Sequence, residues 1–264
     1  MADPAAVLAD LRAQGEETDA VVAGLEDTVW LGPTPSPGWT VAHQVAHLAW
    51  TDEQALRAAT DPDGFSAWAA SAARELPALV DEAAAWGAAE EPARLLSRWR
   101  AGREQLAERL AALPAATRLP WFGPPMSVTS MATARLMETW AHGVDVTDAL
   151  RLPPSASPRL RHVVHLGVRT RDFAFGRHGL PAPVDPFRVE LTAPDGETWA
   201  WGPEDAGQRV TGPALDFCLR VTQRRHRDDL RLRATGPDAD RWLDVAQAFA
   251  GDPGAGRPPS GGGL

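Results

Sequence analysis

The chain has 264 residues, enough for two modest domains that each bury a core without covalent staples, and its single cysteine, Cys218, excludes an intramolecular disulfide or a four-cysteine metal site. The formal net charge of −9, with arginine as the only full cation and no lysine at all, argues against a general nucleic-acid binder, which needs a basic surface to displace phosphate counterions. No basic-then-apolar leader opens the chain and no run of about 18 apolar residues could span a bilayer, so the sequence reads as cytoplasmic with no membrane partner.

Asp3 and Pro4 read as an N-cap and first helical position, and the spacing of Val7, Leu8, Leu11, Val21, Val22 and Leu25 predicts a helix to about residue 26. The proline-rich stretch LGPTPSPGW, residues 31–39, is too stiff and glycine-broken to be helical. Thr40 then caps a second helix with Val41, Val45, Leu48 and Ala49 as core candidates. His43, His47 and Trp50 fall on a neighbouring stripe of it. A turn is expected over TDPDGF, residues 60–65, before the helical pattern resumes over 66–86 around Trp68, Leu76 and Trp86. Pro92 opens a third long helix with Leu95, Leu96, Trp99, Leu106 and Leu110 on its apolar face. The loop 114–125 presents Trp121 and Phe122, either as a lid over a pocket or as plain packing. A fourth helix runs from Ser127 or Thr129 to Leu150. The expectation is an N-terminal helical bundle over residues 1–152, closed by the prolines of RLPPSASP, residues 151–158.

Beyond that boundary the pattern becomes mixed. A helix is expected over 159–176, where His162 and His165 lie three apart with no carboxylate or cysteine at ligand spacing, which favours a structural or surface role. FRVEL (187–191), the turn APDG and ETWAW (197–201) read as a β-hairpin. Thr211 and Pro213 are expected to begin another helix, and a last helix to span about 238–249. Arg224, Arg225 and Arg227 follow the former, as a solvated helix end or, on the sharper reading, a seat for an anionic ligand group held by Arg224 and Arg225. This gives an α+β chain with a small α/β domain over 153–250 and a Gly- and Pro-rich tail, 251–264, expected to be disordered.

Chemistry concentrates in Arg135–Leu150. Glu138 and His142 stand four apart on one helix face, and Asp145 continues that face three residues on. One histidine from the second helix together with this pair would make a His₂Glu set, which leaves a fourth tetrahedral position of zinc open. Asp145 would then orient His142 through its other ring nitrogen, and His43, one turn from His47, is a candidate acid–base partner facing substrate. No nucleophile elbow, phosphate-binding glycine–lysine loop or dinucleotide fingerprint is present.

The stretches GWTVAHQVAHLAW and ARLMETWAHGVDV, with the later VTGPALDFCLRVTQRRHRDDL and WLDVAQAFAGDPG, together resemble the actinobacterial maleylpyruvate isomerase family, in its subgroup of metal-binding proteins related to mycothiol-dependent enzymes. The resemblance spans nearly the whole chain. It implies a DinB-like four-helix bundle followed by a smaller α/β domain, and a divalent metal, usually zinc, held by His47, Glu138 and His142. It also implies a small-molecule substrate, with mycothiol as a co-substrate in isomerisation or thiol transfer. Thiol-independent isomerisation, cyclisation or elimination, and a non-enzymatic metal-binding role, stay open beside that expectation.

Overall fold

The computed structural model describes residues 3–251, 254 and 256–260, and divides into two compact units, Met1–Ser155 and Ala156–Leu264. Of the tail read as disordered, residues 252, 253, 255 and 261–264 lie outside the described residues. Within the described part, the Ser260 hydroxyl and backbone N–H each donate to the Asp229 carboxylate at 2.9 Å.

The first unit is built on four long helices, α1 (Pro4–Val22), α3 (Val41–Thr60), α6 (Pro92–Ala111) and α7 (Val128–Ala149). Shorter helices α2 (Asp27–Trp30), α4 (Pro62–Ala72) and α5 (Leu76–Ala88) fill the connections, and β1 (Arg118–Leu119) pairs antiparallel with β2 (Met126–Ser127) just ahead of α7. Asp3 caps α1 by accepting from the Ala5 amide at 3.1 Å. The helix stops at Val22, short of the expected residue 26, and Asp27–Trp30 makes a separate turn. The interruption expected at 60–65 contracts to one residue, because the Asp61 carboxylate accepts from the Gly64 amide at 3.0 Å and so caps a new helix immediately. Helix α5 lies close against α3: a Cβ on Gly87 would stand 2.8 Å from that of Ala46.

Val22, Trp30, Val41, Val45, Leu48, Leu95, Trp99 and Val146 form the core between these helices. Each such side chain contributes about 1.5–3 kcal/mol when fully buried, so the apolar faces of α3 and α6 carry the bundle. One polar element lies inside. Arg135 of α7, only 2% exposed, donates to Asp52 Oδ1 of α3 at 2.9 Å and to Thr51 Oγ1 at 2.6 Å, while Trp99 Nε1 of α6 donates to the other Asp52 oxygen at 3.2 Å. The ion pair, with Thr51 and Trp99, fixes three helices in register, Thr51 one turn from His47 on α3 and Arg135 one turn from Glu138 on α7.

In the second unit, α8 (Leu160–Arg169) and α9 (Arg171–Arg177) replace the single helix expected over 159–176. The break falls at Thr170, whose hydroxyl bonds the carbonyls of Leu166 and of Gln247. Strands β3 (Phe187–Thr192) and β4 (Thr198–Trp201) form the expected hairpin, with Val189 opposite Trp201. The helix expected to begin at Thr211 is corrected: Gln208–Pro213 is strand β5, parallel to β3, and α10 (Ala214–Val221) starts after it. Then β6 (Arg233–Thr235) pairs antiparallel with β5, which gives the order β4-β3-β5-β6, and α11 (Pro237–Val245) follows, shorter than the 238–249 read from the sequence. Phe187, Phe217 and Trp242 meet edge to face in its core. Cys218 is fully buried there, and burial pushes its thiol well above the ordinary range, so it behaves as a small apolar side chain. Among the described residues no helix is long and apolar enough to cross a membrane.

Candidate metal centre

Helices α3 and α7 bring His47, Glu138 and His142 together. Nε2 of His142 lies 3.2 Å and Nε2 of His47 3.7 Å from the same Glu138 oxygen, and one donor atom from each residue falls within 4.8 Å of the others. Among the described residues this is the one cluster of histidine, cysteine and carboxylate side chains that meets that standard. The two rings stand 4.4 Å apart, centroid to centroid, and both histidines are buried. Burial alone would raise the Glu138 carboxyl, but hydrogen bonds from His142 and His47, and then their charge, hold it well below the ordinary carboxylate range. A half-buried carboxylate kept ionised against two buried imidazoles is an electrostatic seat for a cation.

The donor set fits a metal. With bonds of about 2.0–2.1 Å in a tetrahedron, donor atoms stand roughly 3.3–3.4 Å apart. The observed 3.2 and 3.7 Å bracket that spacing. Imidazole and carboxylate together suit zinc and its neighbours among divalent ions.

Around the triad, Gln44 of α3 presents Oε1 to His142 Nδ1 at 2.6 Å, while its amide Nε2 donates to Thr34 Oγ1 at 2.9 Å. The place at Nδ1 that helix spacing gave to Asp145 thus belongs to Gln44. Asp145 is fully buried and accepts from Ser36 Oγ at 3.2 Å. A carboxamide three residues from His47 on the same helix face was the available signal for Gln44, but its pairing crosses between helices and no within-helix spacing reveals it. His47 Nδ1 is buried without a hydrogen-bond partner among the described residues, so that ring is held by packing. Trp39 supplies much of this: its indole stacks on His142 at 6.0 Å and lies 5.3 Å from His47 and 6.3 Å from His43, tethered through Nε1 to Asp81 Oδ1 at 3.3 Å.

His43 completes a capping box at the start of α3, its Nδ1 lying 3.3 Å from the Thr40 amide and 2.8 Å from the Thr40 hydroxyl. Burial lowers its pKa, opposed by the charge of Asp81. Arg224 and Arg225 belong to the second unit, where each donates to a nearby carbonyl, of Thr222 at 2.6 Å and of Arg224 at 2.7 Å. His162 and His165 stay in α8, and burial, with Arg169 and then His162, lowers His165.

A helical bundle with a His₂Glu face between its second and fourth long helices is the class that fold and site define. Residues 11–147 match the family model described as mycothiol maleylpyruvate isomerase N-terminal domain, and the chain belongs to that family. Residues 183–235 match a second model, described as wyosine base formation. An uncharacterized protein of Mycobacterium tuberculosis, from two strains, is 57% identical over 257 residues, covering 97% of this chain and 100% of the relative. A crystal structure of the mycothiol-dependent maleylpyruvate isomerase is similar with a TM-score of 0.60 at 15% identity, over 88% of this chain and 93% of that one. A histidine-to-alanine variant of it gives 0.57 at 15% identity, over 84% and 90%. At such identity these two likenesses speak for the fold.

Proposed function

We propose that the chain is a metal-dependent enzyme of the isomerase or thiol-transferase type. It would hold one divalent ion, zinc by expectation, on His47, Glu138 and His142, and act in the cytoplasm on a small electrophilic or carbonyl-containing metabolite with mycothiol as thiol co-substrate. The observation that carries this reading is the convergence of two buried imidazoles and a half-buried ionised carboxylate on one point, with three protein donors in all. Three donors are the complement of a catalytic rather than a structural site. Family membership supports the thiol. When bound, such an ion supplies two things, a lowered pKa for a thiol and Lewis-acid polarisation of a carbonyl.

The chain's own residues do the rest. Glu138 contributes the negative charge that selects a cation. Gln44 accepts at His142 Nδ1, which keeps a proton on that nitrogen and would leave the Nε2 lone pair to a bound ion. Trp39 covers both rings and excludes water from their face. Asp145 we place as a buried support of the loop through Ser36, and Arg224 and Arg225 as holders of an anionic ligand group.

One observation favours a second reading, thiol-free isomerisation or ring chemistry. His43 lies beside Trp39 with its pKa lowered by burial, so the site has a neutral imidazole available near neutral pH as a proton carrier. Zinc-loaded protein, incubated with a panel of unsaturated carbonyl compounds with and without mycothiol, separates the two. Turnover that needs the thiol and is lost in Glu138→Ala supports the main reading. Turnover without thiol that is lost in His43→Ala supports the second, and zinc-loaded protein inert in both arms contradicts the enzyme reading.

A further inference from the structure

The face of α3 that carries His47 continues one turn on to Trp50, three residues along and so beside it on the helix surface. Trp50 stacks on Phe122 with centroids 6.0 Å apart and planes at 11°. Phe122 in turn meets Phe65 at 5.4 Å and Trp68 at 5.7 Å, and Trp121 stacks on Phe65 at 5.9 Å and 7°. Phe65 is fully buried and anchors the group, whereas Trp50, Trp68, Trp121 and Phe122 each keep part of their surface exposed. The β1–β2 connection that carries Trp121 and Phe122 is the one that leads into α7, so the ribbon that starts the Glu138 helix also lays aromatic rings on the His47 helix. Trp39 lies over the histidines, and Trp50 follows His47 by three residues on α3, so aromatic rings precede and follow His47 along the chain.

The charges around that face point the same way. The two helices that hold the triad contain one arginine each, and the chain has no lysine. Arg135 is committed to Asp52 and Thr51 in the core. Arg57 sits over the Trp68 ring at 4.9 Å, ten residues from His47 and so roughly 15 Å along the helix axis. With a divalent ion seated, the ion and the Glu138 carboxylate would leave one net positive charge, so one anionic group could be accommodated there, whereas the second anionic group of a diacid would meet only the electronegative faces of aromatic rings.

We infer that Trp50 and Phe122, backed by Trp121, determine specificity for a neutral, planar, conjugated electrophile whose apolar body stacks on these rings, in preference to an aliphatic dicarboxylate. The inference rests on the metal reading of the triad. A flat conjugated body gains offset stacking as well as apolar burial on such rings, which an aliphatic diacid cannot match.

The test is calorimetric titration of zinc-loaded full-length protein, without thiol, with trans-cinnamaldehyde as the planar neutral probe and maleate as the diacid, alongside zinc content of every sample. The expected result is cinnamaldehyde binding at least tenfold tighter than maleate, weakened at least tenfold in Phe122→Ala and in Trp50→Leu with zinc unchanged. Phe122→Leu, which keeps apolar volume and removes only the ring, should show the same loss if the alanine variant unfolds. Maleate binding as tightly as cinnamaldehyde, or ring variants that bind cinnamaldehyde like wild type with zinc in place, would overturn the inference. Wild type that takes up no zinc, yet binds cinnamaldehyde in a Phe122-dependent way, would bring down the metal reading and leave the aromatic clamp standing.

Discussion

Gln44 Oε1 lies 2.6 Å from His142 Nδ1, and this contact between α3 and α7 accompanies a ring whose Nε2 faces Glu138. An acceptor at Nδ1 keeps a proton there, so Nε2, 3.2 Å from the carboxylate, is the nitrogen that would give its lone pair to a bound ion. His47 lacks any such partner among the described residues, so the orientation of the pair depends on one carboxamide.

Replacing Gln44 with leucine should therefore weaken zinc binding by about 10- to 100-fold while the helical circular dichroism persists. Gln44→Glu, which keeps an acceptor, should lose far less. Competition with a chromophoric chelator reads both, and equal affinity for leucine variant and wild type would show that the hydrogen bond does not tune the site.

The Arg135–Asp52 pair makes a prediction about stability. Asp52→Ala leaves a buried guanidinium and the Trp99 indole N–H without their shared acceptor, which should cost about 3–5 kcal/mol. Urea unfolding of the metal-free protein measures it. A midpoint shift worth under about 1 kcal/mol would mean that solvent reaches Arg135.

His43 gives a pH dependence with a definite sign. Burial lowers its folded-state pKa below the ordinary 6.5 and Asp81 only partly opposes this, so the folded protein binds this proton more weakly than the unfolded chain. The contribution of His43 to stability is whole above about pH 6.5 and is lost as pH falls from there through the folded value. Asp81→Asn should lower the pKa further, and it also loosens Trp39. NMR titration of the His43 ring tests this, with a pKa that rises in the variant as the contrary result.

The four long helices and the pair Glu138 and His142 were legible in the sequence because both are local patterns, a 3.6-residue apolar period and an i, i+4 spacing. The choice of His47 over His43 came from the family resemblance. The structure uses His43 as a helix cap, and capping usually falls to a glutamate or glutamine at that position. Strand β5 was hidden because Thr211 and Pro213 look like a helix start; its strand character comes from parallel pairing with β3, about twenty residues away. The split at Thr170 depends on a bond to Gln247, and the Nδ1 partner of His142 on a residue of another helix. Each of these is decided by tertiary contact, which local propensity does not encode.

The most direct test of the central claim is elemental analysis of protein purified without chelators, wild type beside a Glu138→Ala, His142→Ala double variant. The account predicts about one equivalent of a divalent metal, zinc foremost, in the wild type and its loss in a variant that keeps its helicity. A metal-free wild type, or a variant that retains the metal, would contradict it.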